Sequence, residues 1–215
     1  NTAFGIELRA DQVPQIPFSR ERLERASELG QILVLRVGET KDGAPMTMEA
    51  IEAMERTIYD GSAWIKEQDF YTKPVESGWA LITPDILPGS RGEDYLEQTQ
   101  VIIDYLGKVF EGTALPEGYA EAIEEFGSQE QEIRKLLFAG RYSEAAQILE
   151  ELKITGMTRQ TPAEVAYDLT LVSKSNNVRL LASEYTWTSS RSSFGGFVLV
   201  GDFVLVGDFD LGGVS

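Results

Sequence analysis

A hexapeptide written twice in succession near the end of the chain, Phe197-Val-Leu-Val-Gly-Asp202 and Phe203-Val-Leu-Val-Gly-Asp208, constrains the fold more than any other segment. A partial third copy, Phe209-Asp-Leu-Gly212, follows. Six is even, so the copies stay in phase with the two-residue period of a strand. Phe197, Leu199, Phe203, Leu205, Phe209 and Leu211 fall on one face, and Val198, Val200, Val204 and Val206 on the other. As one strand, 197–211 would span roughly 50 Å, well beyond ordinary strand length. Gly at the first central position suits a two-residue hairpin turn, so the segment reads as a short meander turning at Gly201-Asp202 and Gly207-Asp208; one long strand is the alternative. On the meander reading Phe203 and Leu205 are buried, while Asp202, Asp208 and Asp210 guard against edge stacking. A repeat of β-formers specifies backbone geometry and no chemistry.

Upstream, local signals divide the chain. Pro14 and Pro17 impose an extended lead-in; Ser19 caps a helix over 20–29 that stops at Gly30. Residues 31–37 form a dense apolar run of strand length, and 41–43 supply a turn. Thr47 caps a helix from Met48 to about Tyr59, and 79–83 is a second strand. The middle is helical: Asp94 to about Gly112, then a helix opened by Pro116 with a kink at Gly127. Gly140-Arg-Tyr-Ser-Glu-Ala-Ala146 resembles the second-helix opening of a tetratricopeptide unit, but a single copy reads as an ordinary helical hairpin. The segment 154–162 reads as a boundary loop that Arg159 and Gln160 help to fix. Thr161, Pro162 and Glu164 then give cap, first-position Pro and capping-box Glu for a helix to about Lys174, ended by Ser175-Asn-Asn177. The fold class is therefore α+β. An acidic, mostly helical domain over 1–156 precedes a cap helix and small antiparallel β module over 157–215.

Composition removes whole classes of chemistry. The 215 residues contain neither Cys nor His, which excludes disulfides, thiolate or imidazole metal sites, and Ser-His-Asp or Cys nucleophiles. No metal and no cofactor is expected. The net charge is −16, with eleven acids against four bases between Arg91 and Lys135. Such a surface repels phosphate backbones and anionic lipid heads, so neither nucleic acid nor membrane is an expected partner. The Asn1-Thr-Ala-Phe-Gly start carries no signal-peptide pattern; a soluble protein is expected, with a cytoplasmic home favoured and the compartment open.

Carboxylates remain for catalysis. Glu121 with Glu124 or Glu125, and Glu150 with Glu151, are candidate pairs, though their spacing places them on solvated helix faces. The Gly38-Glu-Thr-Lys-Asp-Gly43 loop lacks the Gly-Lys-Ser/Thr ending of a phosphate-binding loop. The segment with binding character is Tyr185-Thr-Trp-Thr-Ser-Ser-Arg191. Alternation puts Tyr185, Trp187 and Ser189 on one face, with Arg191 at the end, combining rigid aromatic area with adaptable hydroxyls. These four residues form the ligand-binding set; Trp187 as the core anchor of a small sheet is the competing reading.

The tail, Tyr185-Thr-Trp-Thr-Ser-Ser-Arg-Ser-Ser193 followed by Val206-Gly-Asp-Phe-Asp-Leu-Gly-Gly-Val214, resembles a group of uncharacterised proteins from candidate-phylum bacteria. Met157-Thr-Arg-Gln-Thr-Pro-Ala-Glu164 is similar to their helix start, and Ile16-Pro-Phe18 with strand 31–37 is similar more loosely. The Val-Gly-x-Phe motif stands twice here, at 200–203 and 206–209, where one copy is the pattern. The Trp-Thr-Ser-Ser segment also resembles the core of C-type-lectin-fold modules, the display scaffold of diversity-generating-retroelement variable proteins. The resemblance implies a non-enzymatic binding or interaction protein with a protein or small-ligand partner. A carboxylate-dependent hydrolase, or an assembly protein forming homo-oligomers through its C-terminal strands, is the alternative.

Overall fold

The computed structural model describes residues 2–55, 63–201 and, as backbone, the strand 204–209. The fold is α+β, with seven α-helices and five strands among the described residues. Two compact units interleave in sequence: 1–85 with 161–186 and 200–206, and 86–160 with 187–199 and 207–215. The expected division after residue 156 falls five residues before the chain returns to the first unit at Thr161.

The first unit is built on caps and one ribbon. Ser19 accepts the Arg22 N–H and starts α1 (Arg20–Glu28), which ends at left-handed Gly30. Thr47 accepts the Ala50 N–H and starts α2 (Met48–Met54), which stops at Glu55 (φ −134°, ψ 41°), short of the end expected near Tyr59; Ile58 and Tyr59 themselves lie outside the described residues. Strand β1 (Ile32–Arg36) pairs antiparallel with β2 (Gly78–Ile82), from Ile32 opposite Ile82 to Arg36 opposite Gly78. A two-stranded ribbon is marginal alone, so its face must be covered. Helix α7 (Pro162–Asn176) covers it: Val172 packs with Val34 and Ile82, with Ile32, Ala80 and Leu171 around them. Tyr167 stacks on Phe4 at 4.6 Å between ring centroids, and its hydroxyl accepts the Val37 N–H (3.2 Å) and donates to the Leu35 carbonyl (3.4 Å). Those edge groups of β1 are thereby satisfied.

The start of α7 has the expected chemistry. Thr161 Oγ1 accepts the Glu164 N–H at 3.3 Å, Glu164 Oε2 accepts the Thr161 N–H at 2.8 Å, and Pro162 holds the first helical position. The helix runs to Asn176 and is closed by left-handed Asn177. Thr161→Ala removes the side-chain half of the box, leaving the backbone N–H of residue 161 on Glu164, and is expected to cost about 1 kcal/mol. Urea melts check this, and an unchanged midpoint would mean that Pro162 alone sets the helix start.

The second unit is helical with an aromatic centre. Asp94 accepts the Glu97 N–H and caps α3 (Tyr95–Val109). Helix α4 (Tyr119–Phe138) starts after left-handed Gly118, three residues beyond the opening expected at Pro116, and passes Gly127 without a break. Ala122, Phe126, Ile133 and Leu136 bury one face along its length, and this packing outweighs the glycine's preference for a kink. Left-handed Gly140 turns the chain into α5 (Tyr142–Glu151), completing the expected hairpin.

Residues expected to be a boundary loop instead form α6 (Lys153–Thr158). Glu125 accepts the Lys153 N–H at 2.9 Å, Thr155 donates to the Leu149 carbonyl at 2.6 Å, and Ile154 is fully buried. Partners distant in sequence thus impose a helix on a segment containing Thr155, Gly156 and Thr158. Just beyond it, the Arg159 guanidinium carbon lies 3.8 Å from the Tyr95 ring centroid. Phe197 stacks on the same ring at 3.6 Å and 13°. Two groups that close cannot share one face, so Tyr95 is held between a cation and an aromatic. Trp187 meets it edge-on at 5.9 Å.

The C-terminal sheet has the order β3-β4-β5, from Tyr185–Arg191, Phe197–Gly201 and Val204–Phe209. Consecutive neighbours make this a meander rather than one long strand. Gly201 is the last residue of β4, where a Cβ would sit 1.9 Å from the Glu184 carbonyl oxygen, so close backbone approach demands the glycine. The second expected turn is not formed: β5 continues through Gly207 and Asp208, because a strand tolerates this pair when the backbone needs no reversal there. Asp202, Phe203 and Asp210 lie outside the described residues, as does the side chain of Leu205.

Candidate functional site

The four residues of the expected binding set do not share one open face. Tyr185 is 46% exposed, whereas Trp187 is 7% exposed and belongs to the core that contains Tyr95 and Phe197. Ser189 is half-buried, and its N–H donates to the Gln160 carbonyl at 2.9 Å. Arg191 folds back onto its own hairpin. Its Nε donates to the Gly195 carbonyl at 3.0 Å, and Nη2 reaches Ser143 Oγ at 3.2 Å and the Ser143 carbonyl at 3.3 Å. Nη1 pairs with Glu150 at 3.5 Å.

That clamp fixes the loop between β3 and β4. Within it the Ser192 N–H donates to the Gly196 carbonyl (2.9 Å) and the Phe194 N–H to Ser192 Oγ (3.1 Å). Gly195 has φ +102°, and a Cβ there would lie 2.9 Å from Ser143 Oγ, so the loop is seated directly on the first turn of α5. The consequence is a rigid loop whose Phe194 is 70% exposed. Phe138, the last residue of α4 and five positions before Ser143, is 97% exposed. Both rings therefore stand at the same end of the second unit, around the start of α5. Burying a phenylalanine is worth about 1.5–3 kcal/mol, and at Phe138 almost all of that free energy is unused.

Charges beside these rings are already neutralised. Arg141 pairs with Glu144, and Lys135 with Glu132. The sequence pattern did not single out either phenylalanine. Phe138 directly follows Ile133, Leu136 and Leu137, which fill the buried face, and Phe194 stands among Ser and Gly. An aromatic in excess of the periodic set, or alone among turn-formers, was the legible signal.

The candidate carboxylates are engaged elsewhere. Glu121 pairs with Lys153 at 3.3 Å on the surface, Glu125 caps α6, and Glu150 holds Arg191. Glu151 accepts from Gln147 at 3.1 Å. Among the described residues no group of three or more Asp or Glu is placed to hold a metal ion. The Gly38–Gly43 loop is filled by its own chain, since a Cβ on Gly38 would meet Ser77 Oγ at 2.7 Å and the Val75 carbonyl at 2.8 Å. No helix among the described residues is long and apolar enough to cross a membrane.

Three buried polar clusters remain. Glu52 takes the Tyr71 hydroxyl and, at 2.7 Å, Lys66 Nζ. Arg36 holds Glu164 and Asp168. Arg159 donates to Thr99 Oγ1 at 2.9 Å and the Tyr95 carbonyl at 3.1 Å. Burial pulls the Arg159 guanidinium below its ordinary value and pushes the Tyr95 phenol above its own. Each cluster ties one element to another, as the pairing of buried charges requires.

No protein-family model matches the chain, and neither a curated protein nor a solved structure shows significant similarity to it.

Proposed function

We propose that this chain is a non-enzymatic binding protein whose C-terminal hairpin presents the contact surface, in keeping with its lectin-like resemblance. The observation that carries the reading is the pair of exposed rings, Phe138 and Phe194, fixed at one end of the second unit. On this reading Arg191 is a positioning residue that holds the loop, and Trp187 anchors the sheet beneath it. Rigid aromatics flanked by internally paired charges suit a partner that offers an apolar or ring-shaped surface.

Panning a random-peptide phage library and an oligosaccharide array against the wild type and a Phe138→Ser/Phe194→Ser variant tests this. Ligands that bind the wild type should lose at least tenfold in affinity on the variant. Equal binding to both proteins, or no selected ligand, would overturn the reading.

Assembly through the tail is the second reading, favoured by the terminal place of β5 in the sheet order. An edge strand pairs readily with another chain. Concentration-dependent sedimentation that disappears when residues 204–215 are removed would support it, and a monomer at every concentration would exclude it.

A further inference from the structure

The extended lead-in carries a second recognition feature, independent of the aromatic pair. Val13-Pro14-Gln15-Ile16-Pro17 contains two apolar-Pro dipeptides separated by one residue. Proline fixes φ near −65° at positions 14 and 17, and it confines the preceding residues to extended conformations. Val13 has φ −84° and ψ 114°, and Ser19 has φ −65° and ψ 161°, so polyproline-II-like backbone brackets the segment. That helix repeats every three residues. Pro14 and Pro17 therefore share one ridge, Val13 and Ile16 a second, and Gln15 and Phe18 the third.

All three ridges are open to solvent over residues 13–17. Phe18 is half-buried, whereas every residue from Asp11 to Pro17 is exposed, including Val13 at 41% and Ile16 at 43%. The two ridges that carry the apolar-Pro dipeptides thus face solvent. The segment is also held: the Trp79 indole N–H donates to the Pro14 carbonyl at 2.8 Å. This internal bond takes up the Pro14 carbonyl and fixes the backbone there, leaving the proline and apolar side chains to make any outside contact. Just downstream, Arg20 is highly exposed and pairs with Glu24 on the surface, a kind of pair that contributes little.

We infer that residues 13–17 are a docking segment for the aromatic-lined, acid-flanked groove of an SH3-type domain. Each apolar-Pro dipeptide fills one aromatic slot, and Arg20 meets the acidic flank. A preformed polyproline-II strand loses little entropy on binding, so a short contact suffices.

The test presents the full chain to a panel of purified SH3 domains by biolayer interferometry. At least one domain should bind. Pro14→Ala/Pro17→Ala and Ile16→Asp should each weaken that binding at least tenfold, while Gln15→Ala, on the third ridge, leaves it within twofold. Ile16 is exposed, so its variant folds and keeps the test decisive if the double-proline variant does not. Phe138→Ser/Phe194→Ser should leave this binding unchanged, which separates the outcome from that of the aromatic surface. The inference is overturned if no domain binds, or if binding survives both Ile16→Asp and loss of the prolines.

Discussion

Arg36→Ala is expected to destabilise the first unit by about 3–5 kcal/mol, because it leaves two buried carboxylates without their cation. The guanidinium is committed on three sides: Nε to Asp168 Oδ1 at 3.2 Å, Nη2 to Asp168 Oδ2 at 2.7 Å, and Nη1 to Glu164 Oε1 at 2.6 Å. All three side chains are buried or nearly so. Burial pulls the Arg36 guanidinium down, yet hydrogen bonding and charge from Asp168, with Glu164 and Tyr167 behind them, outweigh it and hold the group above its ordinary value. A cation raised in the folded state contributes fully at every pH below its unfolded value, which is already strongly basic, so its contribution is constant through the neutral range. The attraction of the pair and the cost of dehydrating it nearly cancel, and breaking it is therefore far worse than replacing it. Arg36→Met combined with Asp168→Leu should recover at least half of the loss, since Glu164 keeps Thr161 as its donor. Urea unfolding of the three proteins decides the matter; a loss below about 1 kcal/mol for Arg36→Ala would mean that water reaches the carboxylates.

That network also shows where sequence reading succeeds and where it stops. Ser19, Thr47 and Thr161 all cap the helices expected of them, because a cap needs only an acceptor two or three residues before an unpaired N–H; Asp94, read as the first residue of its helix, is that helix's cap. Both strands of the first ribbon and the αα-hairpin at Gly140 were legible for the same local reason. Arg36 was legible only as the polar end of a strand, since its partners stand more than a hundred residues away. Helix α6 was missed because Glu125 and Leu149 impose it from outside. Tyr185, Trp187, Ser189 and Arg191 were read by alternation, which places residues on faces but does not say which face the core will claim. The core takes Trp187, and the hairpin loop takes Arg191.

Two phenylalanines three residues apart should respond to mutation in opposite ways. Phe197→Ala is expected to cost about 3–5 kcal/mol, the range for a large aromatic removed from a core that cannot close around the gap. Phe197 is fully buried and stacked on Tyr95, whose opposite face carries the Arg159 guanidinium. The stack is anchored at both ends. The Tyr95 hydroxyl donates to the Thr188 carbonyl at 3.2 Å, and Thr188 Oγ1 donates to the Val198 carbonyl at 2.9 Å, tying α3 to β3 and β3 to β4. Emptying the Phe197 site strips one face of that ring and leaves an apolar cavity there, while Arg159 stays on the other face. Phe194→Ala trims a ring that is 70% exposed and should change stability by no more than about 0.5 kcal/mol. Trp187 lies against Tyr95, so its share of the fluorescence, beside that of Trp64 and Trp79, changes in denaturant melts when this core opens. Hydrogen exchange should show faster amides across 95–99 and 187–200 in Phe197→Ala and wild-type rates in Phe194→Ala. Equal midpoints for the two variants would show that the Tyr95 stack does not hold the hairpin, and that the sheet is maintained by its backbone pairing alone.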